Sequence, residues 1–283
     1  MNANKLIFLF VILPILLLCS CDGEKKTAKK IDEPWYKNYH SLAHSGGGYN
    51  TMVYTDSLEA WQNSYAHGTR VFDADLNFTS DDVLVLRHEW SDDLGQESFG
   101  NGIVPDYETF MNTPIFPSRE GGSLTPMDAA MMLRFLDKHP DCYAACDTKT
   151  DTYKTYSALA ECAKSLGLES VLDRIIVSFY WKEDKAAALR AHDFKHFALR
   201  YYFNNFNNFN NFNEVKELCK ELSVPVCMVW RTFIRDDGEW RVLLDNGITV
   251  WTAVVDDADD WMYLKSIGVS GCVTNFLYED EAQ

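Results

Sequence analysis

Five side chains sit where apolar strands rarely carry them: His44, Asp73, Asp75, His88 and Asp147. Each lies at or near the end of a short hydrophobic run. Burying an ionisable group there is costly unless it holds a cation or moves protons. Their spread along the chain points to a site assembled from several strands, and hence to an enzyme. Asp73 and Asp75 are two apart on one strand, so both project from the same face. Two such carboxylates repel each other unless a positive charge lies between them. On Tyr143 to Lys149 the same parity puts Ala145, Asp147 and Lys149 on one face. Three carboxylates make a hard-oxygen donor set suited to Ca²⁺, Mg²⁺ or Mn²⁺. A divalent ion would leave one negative charge over, which Lys149 offsets, so an anionic phosphodiester can still enter. His44 precedes Gly46, Gly47 and Gly48, a turn able to bring backbone N–H groups close to phosphate oxygens. Two histidines flanking such a centre suit in-line displacement: one takes a proton from the nucleophile and the other protonates the leaving oxygen. His40, His67, His139, His192 and His196 have no acidic partner at a matching strand end and read as structural or exposed.

The elements that must position these groups alternate. Strand-like runs cover Ser41 to His44, Val71 to Leu76, Val83 to Arg87, Tyr143 to Asp147, Ile175 to Phe179, Phe197 to Tyr202, Val224 to Trp230, Ile248 to Val254 and Gly271 to Thr274. Helical stretches cover Ser57 to His67, Pro126 to Lys138, Thr152 to Leu166, Lys182 to Ala191, Asn213 to Leu222 and Asp257 to Ile267. Thr125 and Pro126 are expected as N-cap and first helical residue. Strands alternating with helices predict a parallel sheet, and their number and the chain length favour a TIM-like (β/α)8 barrel in a single domain. Nine strands are one too many, so one of them must lie outside the barrel. Val71 to Leu76 and Val83 to Arg87 are too close for a crossover helix. Two stretches interrupt the alternation: the Gly-, Asp-, Pro- and Ser-rich excursion 91–124, and the Phe-Asn-Asn repeat from Phe203 to Asn213, read as an expanded loop.

Charge and composition narrow the partners. With 26 basic and 42 acidic residues, a net charge of −16, the 283-residue chain repels nucleic acid. Lys5 precedes an apolar run from Leu6 to Leu18, broken by Pro14 and short of the roughly 18 residues of a spanning helix. Leu18-Cys19-Ser20-Cys21 resembles the lipobox of bacterial lipoproteins, in which the last cysteine is lipidated. The expected organisation is a signal peptide over 1–20, a polar tether over 21–34 and the barrel over 35–283. The protein is thus expected to be exported and held at a membrane by an N-terminal lipid on Cys21, in the periplasm or cell envelope. Cys142, Cys146, Cys162, Cys219, Cys227 and Cys272 show no zinc-type spacing and read as free thiols.

The order of these motifs resembles the glycerophosphodiester phosphodiesterase family. The front half carries it: Leu42-Ala43-His44-Ser45-Gly46, Ser57-Leu58-Glu59-Ala60, Val71-Phe72-Asp73-Ala74-Asp75-Leu76 and Val85-Leu86-Arg87-His88-Glu89. The family pattern there is His-Arg-Gly, a helix, Glu-x-Asp and His-Asp. Downstream, Leu124-Thr125-Pro126, Asp147-Thr148-Lys149, Ser178-Phe179, Val250-Trp251-Thr252 and Gly268 to Asn275 follow the family's later elements. The resemblance implies a barrel that hydrolyses glycerophosphodiesters to an alcohol and glycerol phosphate with a divalent cation, Ca²⁺ or Mg²⁺. It implies Asp73, Asp75 and Asp147 as metal ligands, His44 as base and His88 as acid, an order that the sequence itself leaves open. Lys149 would face the phosphate or the metal cluster, and Trp251 would line the substrate pocket.

Several positions depart from that pattern. Ser45 replaces the arginine, removing a bidentate phosphate contact. Asp73 and Asp147 replace glutamates, shortening each arm by about 1.5 Å. Glu89 replaces the aspartate after the second histidine, and Tyr54-Thr55-Asp56-Ser57 replaces Pro-Glu-Asn-Thr. Arg87 or Arg231 is the candidate for the missing phosphate contact. The expectation is a membrane-tethered phosphodiesterase of lipid metabolism from a divergent branch. Its rivals are a phospholipase-type enzyme forming a cyclic phosphate, and a non-catalytic binder of envelope glycans or phosphates.

Overall fold

Alternation along the strands sets the architecture. The computed structural model describes residues 34–282 except 97, 98, 100, 101, 117–121, 202–208 and 210. Cys21, the leader, nearly all of the tether and most of the Phe-Asn-Asn repeat lie outside the described residues. Nine strands form: β1 (Ser41–Ala43), β2 (Val71–Phe78), β3 (Leu84–Leu86), β4 (Tyr143–Thr148), β5 (Ile175–Phe179), β6 (His196–Tyr201), β7 (Val226–Trp230), β8 (Thr249–Ala253) and β9 (Gly271–Thr274). Eight are parallel neighbours in a ring, which closes because Leu42 of β1 pairs with Val71 of β2 on one side and Val273 of β9 on the other. The ninth is β3, antiparallel to β2 with Leu76 opposite Leu86. It is the surplus strand, and the short β2–β3 connection is a hairpin on the rim of the barrel.

Helices α1 (Trp35–Asn38), α2 (Leu58–Ala66), α3 (Tyr107–Asn112), α4 (Ala129–Lys138), α5 (Thr152–Leu166), α6 (Lys182–Ala191), α7 (Phe212–Glu221), α8 (Arg241–Leu244), α9 (Ala258–Ser266) and α10 (Glu279–Ala282) accompany the strands. Phe72, Ala74 and Leu76 of β2 turn outward into the layer between barrel and helices, where Trp61 of α2 stacks on Phe72 at 4.6 Å. The start of α4 differs from the expectation. Asp128, not Thr125, is the N-cap and accepts from the Met131 amide at 2.7 Å. Thr125 instead donates its amide and hydroxyl to Glu59 of α2, 2.7 Å each. A carboxylate cap one turn later outcompetes the Thr-Pro start because the threonine already has a tertiary partner. The excursion between β3 and α4 includes α3 and packs on its own apolar clusters, around Trp90 and Phe110 and around Met52, Leu94 and Ile115.

Inside the barrel, the inward residues divide by depth. Leu42, Val71, Ala145, Ile176, Ala198, Val226 and Met228 form an apolar floor with Trp251 and Val273. Trp35 of α1 joins it, its ring 5.3 Å from Trp251. One further step along the same inward parity, toward the C-terminal strand ends, the lining turns charged: Asp73 and Asp75 on β2, Asp147 on β4, Arg200 on β6. This is the face on which (β/α)8 barrels place their active sites. The six cysteines expected to be free thiols are free, and all but Cys162 are buried. Among the described residues no helix is long and apolar enough to cross a membrane.

Candidate active site

Register brings the carboxylates together. Asp73 pairs with Ala145, and Asp75 with Asp147, across β2 and β4. The three side chains are 1–2% exposed and line the base of a cleft of about 1050 Å³. His44, His88 and Lys149 line the same cleft. Six of the residues singled out from the sequence thus line one cleft.

Each carboxylate already has basic partners. Lys149 Nζ lies 2.9 Å from Asp75 Oδ1 and 2.8 Å from Asp147 Oδ2. From β6, across the barrel, the Arg200 guanidinium engages both oxygens of Asp73, Nη2 on Oδ1 and Nη1 on Oδ2, and its Nη1 is 3.7 Å from Asp147 Oδ2. Ser45 Oγ donates to Asp75 Oδ2 at 2.6 Å, and Tyr180 Oη to Asp147 Oδ2 at 3.0 Å. Burial pushes Asp75 and Asp147 upward, but Lys149 together with His88 and Ser45 at Asp75, and with Arg200 at Asp147, outweighs it, and both stay below the usual carboxylate range. Burial lifts Asp73 against the pull of Arg200. Lys149 is held protonated, since Asp147 and Asp75 more than offset its own desolvation. Beneath them Asp56 is fully buried, and its carboxyl is pushed well up by burial and then by Asp75, favouring the neutral acid.

The donor set does not fit a divalent cation as arranged. Five of the six oxygens of Asp73, Asp75 and Asp147 accept from Arg200, Lys149, Ser45 or Tyr180, and only Asp147 Oδ1 is left without a hydrogen-bond partner. Among the described residues no three acidic, histidine or cysteine side chains converge in a metal-holding geometry. The ion expected from the sequence meets a cluster whose charge is met by two fixed side-chain cations.

The histidines differ in their supports. His44 begins a tight 3₁₀ turn, His44–Gly46, at the end of β1. Its Nδ1 faces the Asn275 side-chain oxygen at 3.1 Å, and Asn275 Nδ2 donates to Asp256 at 2.8 Å. Because the amide nitrogen is committed to Asp256, the amide oxygen must accept from Nδ1–H, which leaves His44 Nε2 as an acceptor. His88 Nδ1 lies 3.0 Å from Asp92 Oδ2, and this hydrogen bond to a carboxylate raises the histidine above its ordinary pKa. Both rings pack against Tyr54, with centroids at 4.6 and 5.5 Å. Ser45, Tyr54 and Asp56, three non-glycine residues with positive φ, surround the carboxylates, a concentration of backbone strain typical of functional sites.

Four expectations are corrected. Trp251 is fully buried in the barrel floor, where a Cβ on Gly271 would come within 2.4 Å of its indole, so it cannot line the cleft. Arg87 is 2% exposed and braces the following loop, donating to the Glu89 and Asp92 carbonyls and to Gln96. Arg231 pairs with Asp260 outside the cleft. Two of the three amides of the glycine turn are not offered to phosphate: Gly47 and Gly48 donate to the His44 and Asn275 carbonyls at 2.8 and 2.6 Å. Gly48 is required because Phe276 lies 2.2 Å from where a Cβ would stand.

Arg200, Tyr180, Trp230, Asp92, Asn275 and Asp56 were missed. Strand parity carried a signal for Arg200, since Ala198 and Arg200 share the inward face of an otherwise apolar run. Asp92, four residues after His88, was another. Tyr180 and Trp230, both in the cleft, stand at strand ends and had no local signature.

No protein-family model and no curated protein matches the chain by sequence. Solved structures do match. An Oleispira antarctica phosphodiesterase, in complex with the product sn-glycerol-3-phosphate, is similar at TM-score 0.70 and 12% identity, covering 88% of this chain and 97% of its own. A glycerophosphodiester phosphodiesterase from Parabacteroides distasonis is similar at TM-score 0.62 and 16% identity, over 87% and 95%. One from Thermotoga maritima is similar at TM-score 0.60 and 14% identity, over 84% and 94%. At these identities the likeness is one of fold.

Proposed function

We propose that the chain is a phosphodiesterase hydrolysing a glycerophosphodiester or a related lipid-derived diester to an alcohol and a phosphomonoester. The observation carrying this is the pair of unlike histidines over one charged base: His44 tied to a neutral amide, His88 tied to a carboxylate. His44 Nε2 accepts the proton of an attacking water as its oxygen bonds to phosphorus. His88, whose proton affinity Asp92 raises, gives its proton to the leaving alkoxide as the P–O bond breaks. Lys149 and Arg200, both lining the cleft, face the charge that builds on the phosphoryl oxygens. Trp230, 39% exposed at the end of β7, offers an apolar wall to the alcohol portion. The solved relative holding sn-glycerol-3-phosphate supports a small glycerol phosphate product.

Leading and anchoring belong to the same proposal. Residues 1–20 act as an export signal, Cys21 carries lipid, and residues 21–34 tether the catalytic domain 35–283 to the envelope membrane. Incorporation of labelled fatty acid, lost in Cys21→Ala, is the expected result. Hydrolysis of bis-p-nitrophenyl phosphate and of glycerophosphocholine tests the activity. Turnover by the wild type that falls in both His44→Ala and His88→Ala is expected. Equal turnover in all three proteins would overturn the assignment.

A further inference from the structure

The arginine in the cleft is Arg200, on the opposite side of the barrel from Asp73, and it changes what the site needs. Asp73, Arg200, Asp147, Lys149 and Asp75 form an unbroken alternation of charge across the barrel mouth. Arg200 and Asp73 are 3% and 1% exposed at their side chains, so each depends on the other for compensation. We infer that Arg200 occupies the place of a divalent cation, making this phosphodiesterase site independent of Ca²⁺ and Mg²⁺.

Three observations converge. A bound Ca²⁺ would need carboxylate oxygens at about 2.3–2.6 Å. The oxygens facing the cluster are those that Arg200 and Lys149 hold at hydrogen-bond distance. Admitting the ion would expel both cations from buried positions or set two positive charges beside it. Second, both acidic arms are short. Asp73 and Asp147 stand where the resembling family has glutamates, and each arm is shorter by about 1.5 Å. That is space a planar guanidinium fills from the opposite strand. Third, Ser45 stands in place of the arginine beside the first histidine and donates to Asp75. The guanidinium absent beside His44 is thus present on β6, where it neutralises the acids and, lining the cleft, faces the phosphate. Arginine keeps its charge at all working pH values and presents a fork matched to two oxygens, so it serves as a fixed electrostatic centre.

The inference rests on the phosphodiesterase reading only for the identity of the substrate, and its test separates the two. Chelator-stripped wild type is titrated calorimetrically with CaCl₂ and MgCl₂, beside Asp73→Asn, Arg200→Ala, Arg200→Gln and Arg200→Ala/Asp73→Asn. Each variant's fold is checked by circular dichroism. The wild type is expected to show no saturable binding up to about 1 mM, the weak end of protein Ca²⁺ sites. Removing the guanidinium is expected to tighten Ca²⁺ binding at least about tenfold, in whichever single variant folds, and the Asp73→Asn change is expected to abolish that gain. In parallel, wild-type hydrolysis of bis-p-nitrophenyl phosphate should be unchanged by excess EDTA. Stoichiometric Ca²⁺ or Mg²⁺ binding by the wild type that is lost in Asp73→Asn would overturn the inference, as would folded Arg200 variants that gain no binding. Absence of turnover on every diester would instead overturn the phosphodiesterase reading, leaving calorimetry to decide the place of Arg200 alone.

Discussion

Replacing Lys149 by methionine keeps the apolar stem and removes the ammonium that bridges Asp75 and Asp147 at 2.9 and 2.8 Å. The three side chains are 12%, 2% and 3% exposed, so water cannot stand in for the lost charge. Breaking a buried ion pair from one side costs about 3–5 kcal/mol, because the remaining charge is left uncompensated. Arg200 stays near Asp147 and Ser45 still donates to Asp75, which places the expected loss at the lower end, about 3 kcal/mol at pH 7. For a domain of this size the melting temperature falls by about 6–12 °C. The loss has a pH signature. In the wild type, Asp75 and Asp147 titrate below the usual carboxylate value, so the folded state binds fewer protons than the unfolded state. Their stabilisation is therefore present above about pH 4 and fades as the pH falls through their folded values. In Lys149→Met the strongest lowering influence on both carboxyls is gone and both move upward. The folded variant then takes up protons that the folded wild type does not, so its deficit is largest at pH 7 and shrinks toward pH 4. Urea denaturation of both proteins at pH 7, 5.5 and 4 measures this directly. A deficit below about 1 kcal/mol at pH 7, or one that does not shrink in acid, would refute the charge-cluster argument.

Other consequences are sharper on activity. His44→Ala and His88→Ala should each lower kcat/KM by about 100- to 10,000-fold while leaving the thermal melt nearly unchanged; an unaffected rate removes that histidine from the mechanism. Asp92→Asn removes the carboxylate that raises His88, so the acid deprotonates earlier and the alkaline limb of the pH–rate profile should move to lower pH. A limb that stays in place would separate Asp92 from catalysis. Trp251→Ala, in the barrel floor, should cost about 3–5 kcal/mol in denaturation with KM unchanged. Trp230→Ala, in the cleft, should raise KM and cost less than about 1 kcal/mol. The reverse pattern would reinstate Trp251 as a substrate contact.

Period and spacing made much of this legible. The two-residue parity that joins Asp73 to Asp75, and Ala145 to Asp147, is a local property of a strand, and it survived folding unchanged. Thr152–Leu166 and Lys182–Ala191 form helices over the expected residues because each has an apolar face and a sharp start. What failed was non-local. Arg87 and Arg200 are both arginines on apolar runs; parity turns Arg200 inward, but the position of β6 across the barrel from β2 decides that it meets the carboxylates. Trp251 and Trp230 likewise differ by depth, one at the floor and one at a strand end, which motif order cannot distinguish. Thr125-Pro126 looked like a helix start until Glu59, far along the chain, supplied its partner. The divalent cation followed from counting acids on one face. That count changes once Arg200 arrives from the other side.

The most direct test of the account follows a glycerophosphodiester in H₂¹⁸O by ³¹P NMR with the chelator-stripped protein, alongside His44→Ala and His88→Ala. The account predicts a phosphomonoester carrying one ¹⁸O as the first product, formed without a cyclic intermediate and lost in both variants. A cyclic phosphate appearing first, or a monoester that forms equally well without either histidine, would contradict it.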